Sequence, residues 1–455
     1  MKNTNIKTFT FIIFLLISTF CKAQNPIIQT KFTADPAPMV YKDTVFLYTS
    51  HDENDAGPGM GRFLMKDWLL YSSVDMVNWT DHGVVASLKD FKWGKQENGA
   101  WAPQCIERNG KFYLYCPVQG SGIGVLVADS PYGPFKDPLG KRLIGDEHIW
   151  NDIDPSVFID DDGQAYLYWG NPSLWYVKLN KDMISYSGEV IKVPGVGKEK
   201  DQKDPDAYHY QEGPWAYKRN NHYYMAYAST CCPEGIGYVM SSTPTGPWEY
   251  KGYIMKPNSK SSGNHPGIID YKGKSYVFGF NFRLNFMITE KHHERRSVCV
   301  EELTYNPDGT IVEVPWWSET GIKPADVLNP FQRTEAETIA WSEGLHTAKG
   351  LKGMYVTDID NNDHLKVKAV DFGKGAKKFE ASVAGVSSGA VIEIRVDSLT
   401  GPLLGALTVK STGGADKWVT QALKIKKQAG VHDVYFVFKG KGSSLLNFDW
   451  WKFSK

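Results

Sequence analysis

The sequence predicts an all-β protein, a five-bladed β-propeller over residues 24–325 followed by a jelly-roll-like β-sandwich over residues 331–455. Three observations predict this fold. A strand–turn–strand pattern recurs five times in the first region, and short alternating strands broken by Gly and Ser fill the second. Neither region has a long helical period, and aromatic residues make up 13% of the chain, a surplus typical of β cores.

Residues 1–23 have the pattern of a secretory signal peptide. Lys2 and Lys7 give a positive start, the apolar run from Phe9 to Phe20 is too short to span a membrane, and a small residue precedes Gln24. The alternative is lipidation at Cys21, which the bulky residue before it disfavours. The mature chain is therefore expected to be secreted or periplasmic, with a lipid-anchored surface protein as the lesser alternative.

The charge balance argues against polyanionic partners. The chain has 51 basic and 51 acidic residues, but residues 24–330 hold 30 basic against 38 acidic side chains, and residues 331–455 hold 18 against 13. An acidic propeller disfavours nucleic acid as its substrate. No apolar run reaches the length of a membrane span.

The cysteines are interpreted as buried thiols. After the signal the chain has an odd number of them, and no zinc-type spacing appears. They are Cys105, Cys116, Cys231, Cys232 and Cys299.

The repeats follow each other at intervals of about 50 to 65 residues. Each opens beside a Pro or Gly, runs apolar, turns, and ends in a strand rich in Tyr or Phe, which is the pattern of a β-hairpin. The five segments are DPAPMVYKDTVFLY from Asp35, WAPQCIERNGKFYLY from Trp101, DPSVFIDDDGQAYLY from Asp154, EGPWAYKRNNHYYMAY from Glu212 and HPGIIDYKGKSYVF from His265. Weaker strand patterns between the hairpins predict four strands per unit, and radial repetition of such units is a propeller.

The first residue of each repeat is a candidate for the active site. Because the innermost strands of a propeller line its axis, equivalent first residues are expected to meet at one mouth. They are Asp35, Trp101, Asp154, Glu212 and His265. Three carboxylates, an indole and an imidazole at a shared position are not residues that fill a core.

Two chemistries could use these carboxylates. Hydrolysis of a glycosidic bond needs a carboxylic acid that protonates the leaving oxygen and a carboxylate that acts from the opposite face, while an aromatic ring can stack on the sugar. The alternative is a hard cation such as Ca²⁺, held by oxygen ligands with His265 close by.

With these motifs, the chain resembles glycoside hydrolase family 43 over residues 24–320. The resemblance rests on Asp35-Pro36, Trp101-Ala102-Pro103, Asp154-Pro155-Ser156, Glu212-Gly213-Pro214 and the segment RRSVCVEELTYNPDGTI from Arg295. It implies a five-bladed propeller that cleaves terminal arabinofuranose or xylose from plant cell-wall polysaccharide with inversion. No organic cofactor is implied.

The resemblance also implies roles for individual residues. Asp35 would be the general base, Glu212 the general acid, and Asp154 the residue that tunes the pKa and orientation of the acid. Arg296 corresponds to a substrate-contacting arginine, and His265 to an axial histidine that supports a bound cation or water.

Trp101 is expected to stack on sugar. Two departures from the family are Gln104, where many members have Asp, and the long segment 51–67, which is expected to wall the pocket.

Residues 331–455 resemble carbohydrate-binding module family 6, after a joint at residues 320–331. The resemblance rests on Glu335-Ala336-Glu337, on IEIRVDSLTGPLLGALTV followed by STGG, and on LLNFDWWKF. It implies a structural Ca²⁺ held by Glu335, Glu337 and Asp449, and a sugar cleft lined by Trp418 and Asn447. His364 stands where many members have Trp, so sugar binding and a purely structural role as a buttress both remain open.

Several functions therefore stay open. The leading hypothesis is an exo-acting α-L-arabinofuranosidase or β-D-xylosidase on a plant polysaccharide. The alternatives are an endo-acting arabinanase, a retaining fructan-type hydrolase, and a non-catalytic carbohydrate-binding propeller that holds calcium. A propeller exposes few strand edges, so a monomer is expected.

Overall fold

A computed structural model describes residues 24–54, 63–145, 152–197, 210–229, 233–258, 264–385 and 389–455. The signal peptide expected at residues 1–23 and the Cys231–Cys232 pair lie outside the described residues. Within them Cys105, Cys116 and Cys299 are buried free thiols, as predicted.

Five antiparallel sheets follow one another along residues 33–303. The first contains β1 (Thr33–Tyr41), β2 (Thr44–His51), β3 (Asp67–Ser73) and β4 (Trp79–Ser87), and the second contains β5 (Gln104–Arg108), β6 (Lys111–Val118) and β7 (Gly122–Ala128). The third contains β8 (Ser156–Ile159), β9 (Ala165–Trp169), β10 (Ser173–Leu179) and β11 (Tyr186–Gly197). The fourth contains β12 (Tyr210–Arg219), β13 (His222–Ser229), β14 (Gly235–Ser241) and β15 (Glu249–Met255), and the fifth contains β16 (Gly267–Tyr271), β17 (Lys274–Asn281) and β18 (Ser297–Leu303). A 3₁₀ helix (Leu88–Asp90) follows β4, and helix α1 (Arg283–Ile288) joins β17 to β18.

The first strands of the five sheets form a closed ring. Strand β1 contacts β5, β5 contacts β8, β8 contacts β12, β12 contacts β16, and β16 returns to β1. Five sheets around one axis are a five-bladed propeller, so this prediction is confirmed. The aromatic residues of the repeats, such as Tyr48, Tyr115, Tyr168 and Phe278, are fully buried between the blades.

The prediction of four strands in every blade is wrong for the second and fifth blades, which have three strands each in the described residues. The outer edge of the fifth blade is covered by the N-terminal segment instead. Ile27 donates its backbone N–H to the Val298 carbonyl (2.8 Å), and the Asn25 amide bonds both backbone groups of Val300 (3.0 and 3.1 Å). This segment protects the edge of β18 and ties the start of the propeller to its last blade.

Residues 334–454 contain two sheets that pack face to face, as predicted for a β-sandwich. The strands of this region are β19 (Thr334–Glu335), β20 (Thr338–Ile339), β21 (Trp341–Glu343), β22 (His346–Gly350), β23 (Gly353–Thr357), β24 (His364–Asp371), β25 (Ala376–Gly385), β26 (Val391–Val396), β27 (Leu403–Thr408), β28 (Gly414–Gln428), β29 (Val431–Lys439) and β30 (Asn447–Ser454), of which β20 belongs to neither of these two sheets. One sheet has the order β22-β23-β30-β25-β28 with β19 on β30, and the other has the order β21-β24-β29-β26-β27. Phe379, Phe436, Phe448 and Trp451 are fully buried in the core between them.

The sandwich docks on the first blade. Strand β20 pairs with β4, so the first sheet gains a fifth strand from the C-terminal region. Next to this pair, Lys31 Nζ lies 2.5 Å from both Asp81 Oδ2 and Thr347 Oγ1, and the carboxylate of Asp81 is buried. Strand pairing and a buried charge network together fix the sandwich against the propeller.

Candidate active site

The repeated prolines lie around the propeller axis. A narrow space there is lined by one proline from each repeat, together with its neighbours; the five are Pro36, Pro103, Pro155, Pro214 and Pro266. Proline has no N–H group, so it leaves no unpaired donor where the five strands converge. The residues that open the five repeats, one or two positions before these prolines, are thereby held at one end of the axis.

A cavity of about 150 Å³ lies at this end. Its lining contains residues from every blade: Asp35, Phe63, Met65, Trp101, Ile153, Asp154, Asn171, Glu212, His265 and Arg296. The structure therefore brings together all five of the repeat-opening residues that the sequence predicted to converge, and adds Arg296. The described part of segment 51–67 does line the cavity, through Phe63 and Met65.

Local backbone geometry aims two of the carboxylates. Asp35 and Asp154 have φ angles of 50° and 58°, in the left-handed region that non-glycine residues seldom adopt. The register of β1 against β2 shifts just after Asp35, and that of β12 against β13 shifts on both sides of Glu212. Bulges of this kind turn a side chain out of the sheet, here toward the axis.

Asp35 is a buried carboxylate with strong partners. Its Oδ2 accepts a hydrogen bond from Ser50 Oγ (2.6 Å), and its Oδ1 accepts one from Arg296 Nη1 (2.8 Å). A buried charge is tolerated when it is paired in this way. Asp35 is thus held as an oriented acceptor at the cavity wall.

Arg296 is itself held by Asp52, a residue that the sequence analysis missed. Asp52 Oδ2 accepts from Nε (3.0 Å) and from the backbone N–H of Arg296 (2.8 Å), and Oδ1 accepts from Nη2 (3.0 Å). Both residues are almost completely buried. The pKa of Arg296 is raised because the neighbouring carboxylates Asp35 and Asp52 outweigh the effect of burial, so the guanidinium stays charged.

We expect Asp52→Asn to destabilise the protein strongly, because Asp52 accepts three of the four hydrogen bonds that Arg296 donates to carboxylates, whereas Asp35 accepts one. Breaking a buried pair by removing one partner costs about 3–5 kcal/mol. Urea unfolding measures this loss. The matched control is Asp67→Asn in the same segment, whose half-buried pair with His51 is expected to contribute under about 1 kcal/mol. Equal stability of the two variants would contradict the role given to Asp52.

His265 lies among the three carboxylates. Its Nδ1 lies 3.6 Å from Asp35 Oδ1, and its Nε2 lies 3.4 Å from Glu212 Oε1 and 3.8 Å from Asp154 Oδ2. Burial opposes the charged imidazolium, but the surrounding carboxylates raise the pKa of His265 to about 10. A positive ring at this point offsets part of their mutual repulsion.

Asp154 is a buried acid that lies beside Glu212. Burial raises the pKa of Asp154 to about 8, and the charges of Glu212 and Asp35 add to the rise, while His265 and the N–H of Gly213 oppose it. Asp154 therefore retains its proton at neutral pH. The side chain of Glu212 is 19% exposed, against 3% for Asp154 and 2% for Asp35, so Glu212 is the acid that opens to the cavity.

Trp101 and Gln104 differ from each other in their relation to the cavity. Trp101 lines it, and its Nε1–H is buried with no hydrogen-bond partner in the described part of the chain. Gln104 instead bonds the backbone N–H and carbonyl of Val157 on the next blade. Gln104, which stands where many family members have Asp, therefore links two blades and is not among the residues that line the cavity.

In the sandwich, Trp418 lies in a second cavity, of about 400 Å³. Its ring meets the edge of Tyr355 at 5.3 Å, and the hairpin tip at Leu351 and Lys352 lines the same space. Asn447 is not among the residues that line this cavity; its amide donates to the Ala415 carbonyl (2.9 Å) and accepts from Thr357 Oγ1 (2.9 Å). The structure does not bring the two predicted sugar-cleft residues together in one cavity. A sugar-contacting role for either stays a prediction.

The three predicted calcium ligands lie near each other at the start and end of the sandwich. Arg333 forms two hydrogen bonds with Glu335 (2.8 and 2.7 Å) and lies 3.8 Å from Asp449. Burial raises the pKa of Glu337 to about 9, and the neighbouring charges of Glu335 and Asp449 add to this effect. Its Oε2 is buried without a hydrogen-bond partner in the described residues. Among the described residues, these three carboxylates do not form a group whose ligand atoms all lie within 4.8 Å of one another, so calcium binding here stays a prediction.

Two family models match the chain. Residues 23–311 match glycosyl hydrolases family 43, and residues 335–455 match the carbohydrate binding module of family 6. Among the described residues, no helix has the length and apolar character to cross a membrane.

Known proteins match either nearly the whole chain or about two thirds of it. An arabinoxylan arabinofuranohydrolase of Paenibacillus polymyxa is 37% identical over 94% of this chain and 74% of its own length. A xylosidase/arabinosidase of Bacteroides ovatus is 31% identical over 62% of this chain and 95% of its own. The crystal structure of a glycoside hydrolase family 43 arabinoxylan arabinofuranohydrolase from Bacillus subtilis, in complex with cellotetraose, superposes with a TM-score of 0.83 at 33% identity, covering 95% of this chain and 98% of that one.

Proposed function

The chain belongs to glycosyl hydrolases family 43 and carries a family 6 carbohydrate-binding module, and on this premise we propose that it removes terminal α-L-arabinofuranose from arabinoxylan-type plant polysaccharide, with inversion. The chain is an exo-acting glycosidase of the arabinofuranosidase and xylosidase group. The observation that carries the proposal is the cavity in which Asp35, Asp154 and Glu212 meet around His265. β-D-Xylose is the second candidate sugar, since xylosidases are also among the relatives.

In the proposed mechanism Asp35 is the general base. Its carboxylate takes a proton from a water molecule while that water attacks the anomeric carbon of the bound sugar. Ser50 and Arg296 hold the carboxylate in place, and Arg296 lines the cavity as well. Arg296 donates hydrogen bonds to both Asp52 and Asp35, which supports a role in positioning the base in addition to a contact with the sugar.

Glu212 is the proposed general acid. Its O–H bond breaks as a new O–H bond forms on the glycosidic oxygen, and the electron pair of the breaking C–O bond stays with that oxygen. The neighbouring Asp154, whose pKa burial raises to about 8, is placed beside this acid, which supports its assignment as the residue that tunes it.

Inversion is supported by the position of His265. Asp35 faces Nδ1 and Glu212 faces Nε2, so an imidazole ring separates base and acid. Inverting enzymes keep the two carboxyl groups about 6.5–9.5 Å apart to admit a water molecule, whereas retaining enzymes hold them about 5–5.5 Å apart. Exo action is supported by the lining, because the described residues wall the cavity from all five blades.

The test compares nitrophenyl α-L-arabinofuranoside with nitrophenyl β-D-xyloside and follows sugar release from arabinoxylan. We expect arabinose as the released sugar, faster turnover of the arabinofuranoside, and the inverted anomer as the first product in NMR spectra. Release of oligosaccharides would favour the endo-acting alternative, and a retained anomer would overturn the single-displacement mechanism.

We also propose that Ca²⁺ binds the sandwich through Glu335, Glu337 and Asp449, where a cation would neutralise the buried carboxylate of Glu337. Binding to the folded state alone stabilises it by about 2.7 kcal/mol at a 100-fold excess over Kd. We expect EDTA to lower the Tm of the full chain and added CaCl₂ to restore it, but to have little effect in Glu337→Gln. The same response in wild type and variant would contradict this site.

The remaining proposals concern location and the module. We propose that residues 1–23 direct export of the chain, which suits an enzyme whose substrate is an extracellular polymer. We also propose that the protein acts as a monomer. The exposed hairpin tip at Leu351 beside Trp418 supports sugar binding by the sandwich, and its strand pairing with the first blade supports the buttress role. The two roles are compatible.

A further inference from the structure

Asn171 is a cavity residue that no repeat or motif in the sequence singled out. It follows β9 and lines the cavity, and its Nδ2 donates a hydrogen bond to Oε2 of Glu212. Its Oδ1 accepts a hydrogen bond from Gln211 Nε2 (3.1 Å). Because Gln211 occupies the carbonyl side of the amide, the amide is oriented with its N–H group toward Glu212.

The segment that carries Asn171 is anchored on both sides. Gly170 donates its backbone N–H to the Ile153 carbonyl (3.0 Å), next to Asp154, and its own carbonyl accepts from the hydroxyl of Tyr210 (2.6 Å), near Glu212. The Tyr210 ring is fully buried. The amide is thus fixed to the third and fourth blades at once, and its position relative to Glu212 is set by the fold.

This orientation has a consequence for the proton on the acid. An N–H group that points at Oε2 favours the carbonyl form of that oxygen, since the carbonyl oxygen is the stronger hydrogen-bond acceptor of a carboxylic acid. The proton of Glu212 is therefore favoured on Oε1, the oxygen that lies 3.4 Å from His265 Nε2. Asn171 leaves Oε1 as the oxygen that can give up a proton.

The same N–H group also favours the product of the proton transfer. As Glu212 loses its proton, negative charge spreads to Oε2, and a donor already aimed at that oxygen stabilises the charge without reorganisation. The other groups near Glu212 are Asp154, whose charge opposes this change, and His265, whose charge assists it. Asn171 is a neutral donor and does not titrate.

We propose that Asn171 is a positioning residue that fixes the acidic proton of Glu212 on Oε1 and stabilises the carboxylate formed when that proton moves to the leaving oxygen. The inference rests on the proposed function, because it takes Glu212 as the general acid. The contribution of Asn171 to the rate should therefore be larger for leaving groups that need protonation more.

The experiment compares two aryl arabinofuranosides, one with an acidic leaving group (dinitrophenol) and one with a weakly acidic one (phenol). In Asn171→Ala and Asn171→Asp, kcat/KM for the phenyl glycoside is expected to fall about 10- to 100-fold, the range for a hydrogen bond to a charged group. For the dinitrophenyl glycoside it is expected to fall by less than about threefold, because its leaving group departs without an acid. The loss should lie in kcat, since the contact acts in the transition state.

Asn306→Ala is the matched control. Asn306 bonds Thr310 in an exposed turn of the propeller, and its loss should leave both substrates unaffected. An equal loss on both substrates in the Asn171 variants would mean a merely structural role and overturn the inference, as would no loss at all. If wild type turns over both glycosides but the loss in Glu212→Gln is the same for both leaving groups, the assignment of Glu212 as the acid fails instead. If wild type turns over neither glycoside, the proposed function fails, and the inference with it.

Discussion

Asp35→Asn is expected to lower kcat/KM about 10²- to 10⁴-fold, and by the same factor for every leaving group. Asparagine fills the space of the aspartate, but its amide cannot take a proton from the attacking water. Asp52 remains to pair with Arg296, so the fold is expected to survive the change. Steady-state kinetics on a series of aryl glycosides measures both the loss and its independence of the leaving group.

Asp129→Asn is the control for this substitution, since Asp129 is exposed on the outside of the second blade and pairs only with Lys111 among the contacts described. It should behave as wild type. A variant Asp35→Asn that keeps its Tm and most of its turnover would remove Asp35 from the reaction. A loss that grows with the basicity of the leaving group would give Asp35 the role of the acid.

Glu212→Gln is expected to give the second large effect, with the opposite dependence on substrate. Without a proton donor, kcat/KM for a phenyl glycoside should fall about 10²- to 10⁴-fold, while a dinitrophenyl glycoside loses far less. In wild type, activity should fall as pH rises through about 8, because Asp154 then loses its proton and no longer tunes the acid in the same way. The variant should lack this decline on the activated substrate.

Glu249→Gln serves as the control, because Glu249 is an exposed residue on the outer strand of the fourth blade. Equal losses of Glu212→Gln on both substrates would contradict general acid catalysis by this residue. Persistence of the decline above pH 8 would assign it to another group in the site.

The repeats carried most of the information that the sequence holds about this site. Because a propeller places equivalent residues of each blade at the same height on the axis, a shared position in the repeat becomes a shared position in space. Asp35, Trp101, Asp154, Glu212 and His265 could therefore be grouped before any contact was known. Each is followed within two positions by a proline, and these prolines ring the axis.

Asp52 and Asn171 could not be found in the same way. Asp52 lies at the end of β2, outside the repeated openings, and its importance comes from Arg296, 244 positions away in the chain. Asn171 comes from a short segment after β9, and meets Glu212 from a distance of 41 positions. Neither residue type is unusual in a turn or at a strand end, so neither stood out locally. The number of strands was also overestimated for two blades; in the fifth, the N-terminal segment covers the edge that a fourth strand would otherwise occupy.

The architecture and the residues at the mouth follow from the sequence, because period-two strands, turns and a fivefold repeat are local patterns. In a propeller, the place of a residue in the repeat sets its place along the axis. The charge and the orientation of these residues depend on the contacts made in the folded protein. The pKa of Asp154 depends on burial and on charges from three blades, and the direction of the Asn171 amide depends on Gln211 and on the anchored segment around Gly170. Such properties are set by distances of a few ångströms between residues far apart in the chain, which no local pattern contains.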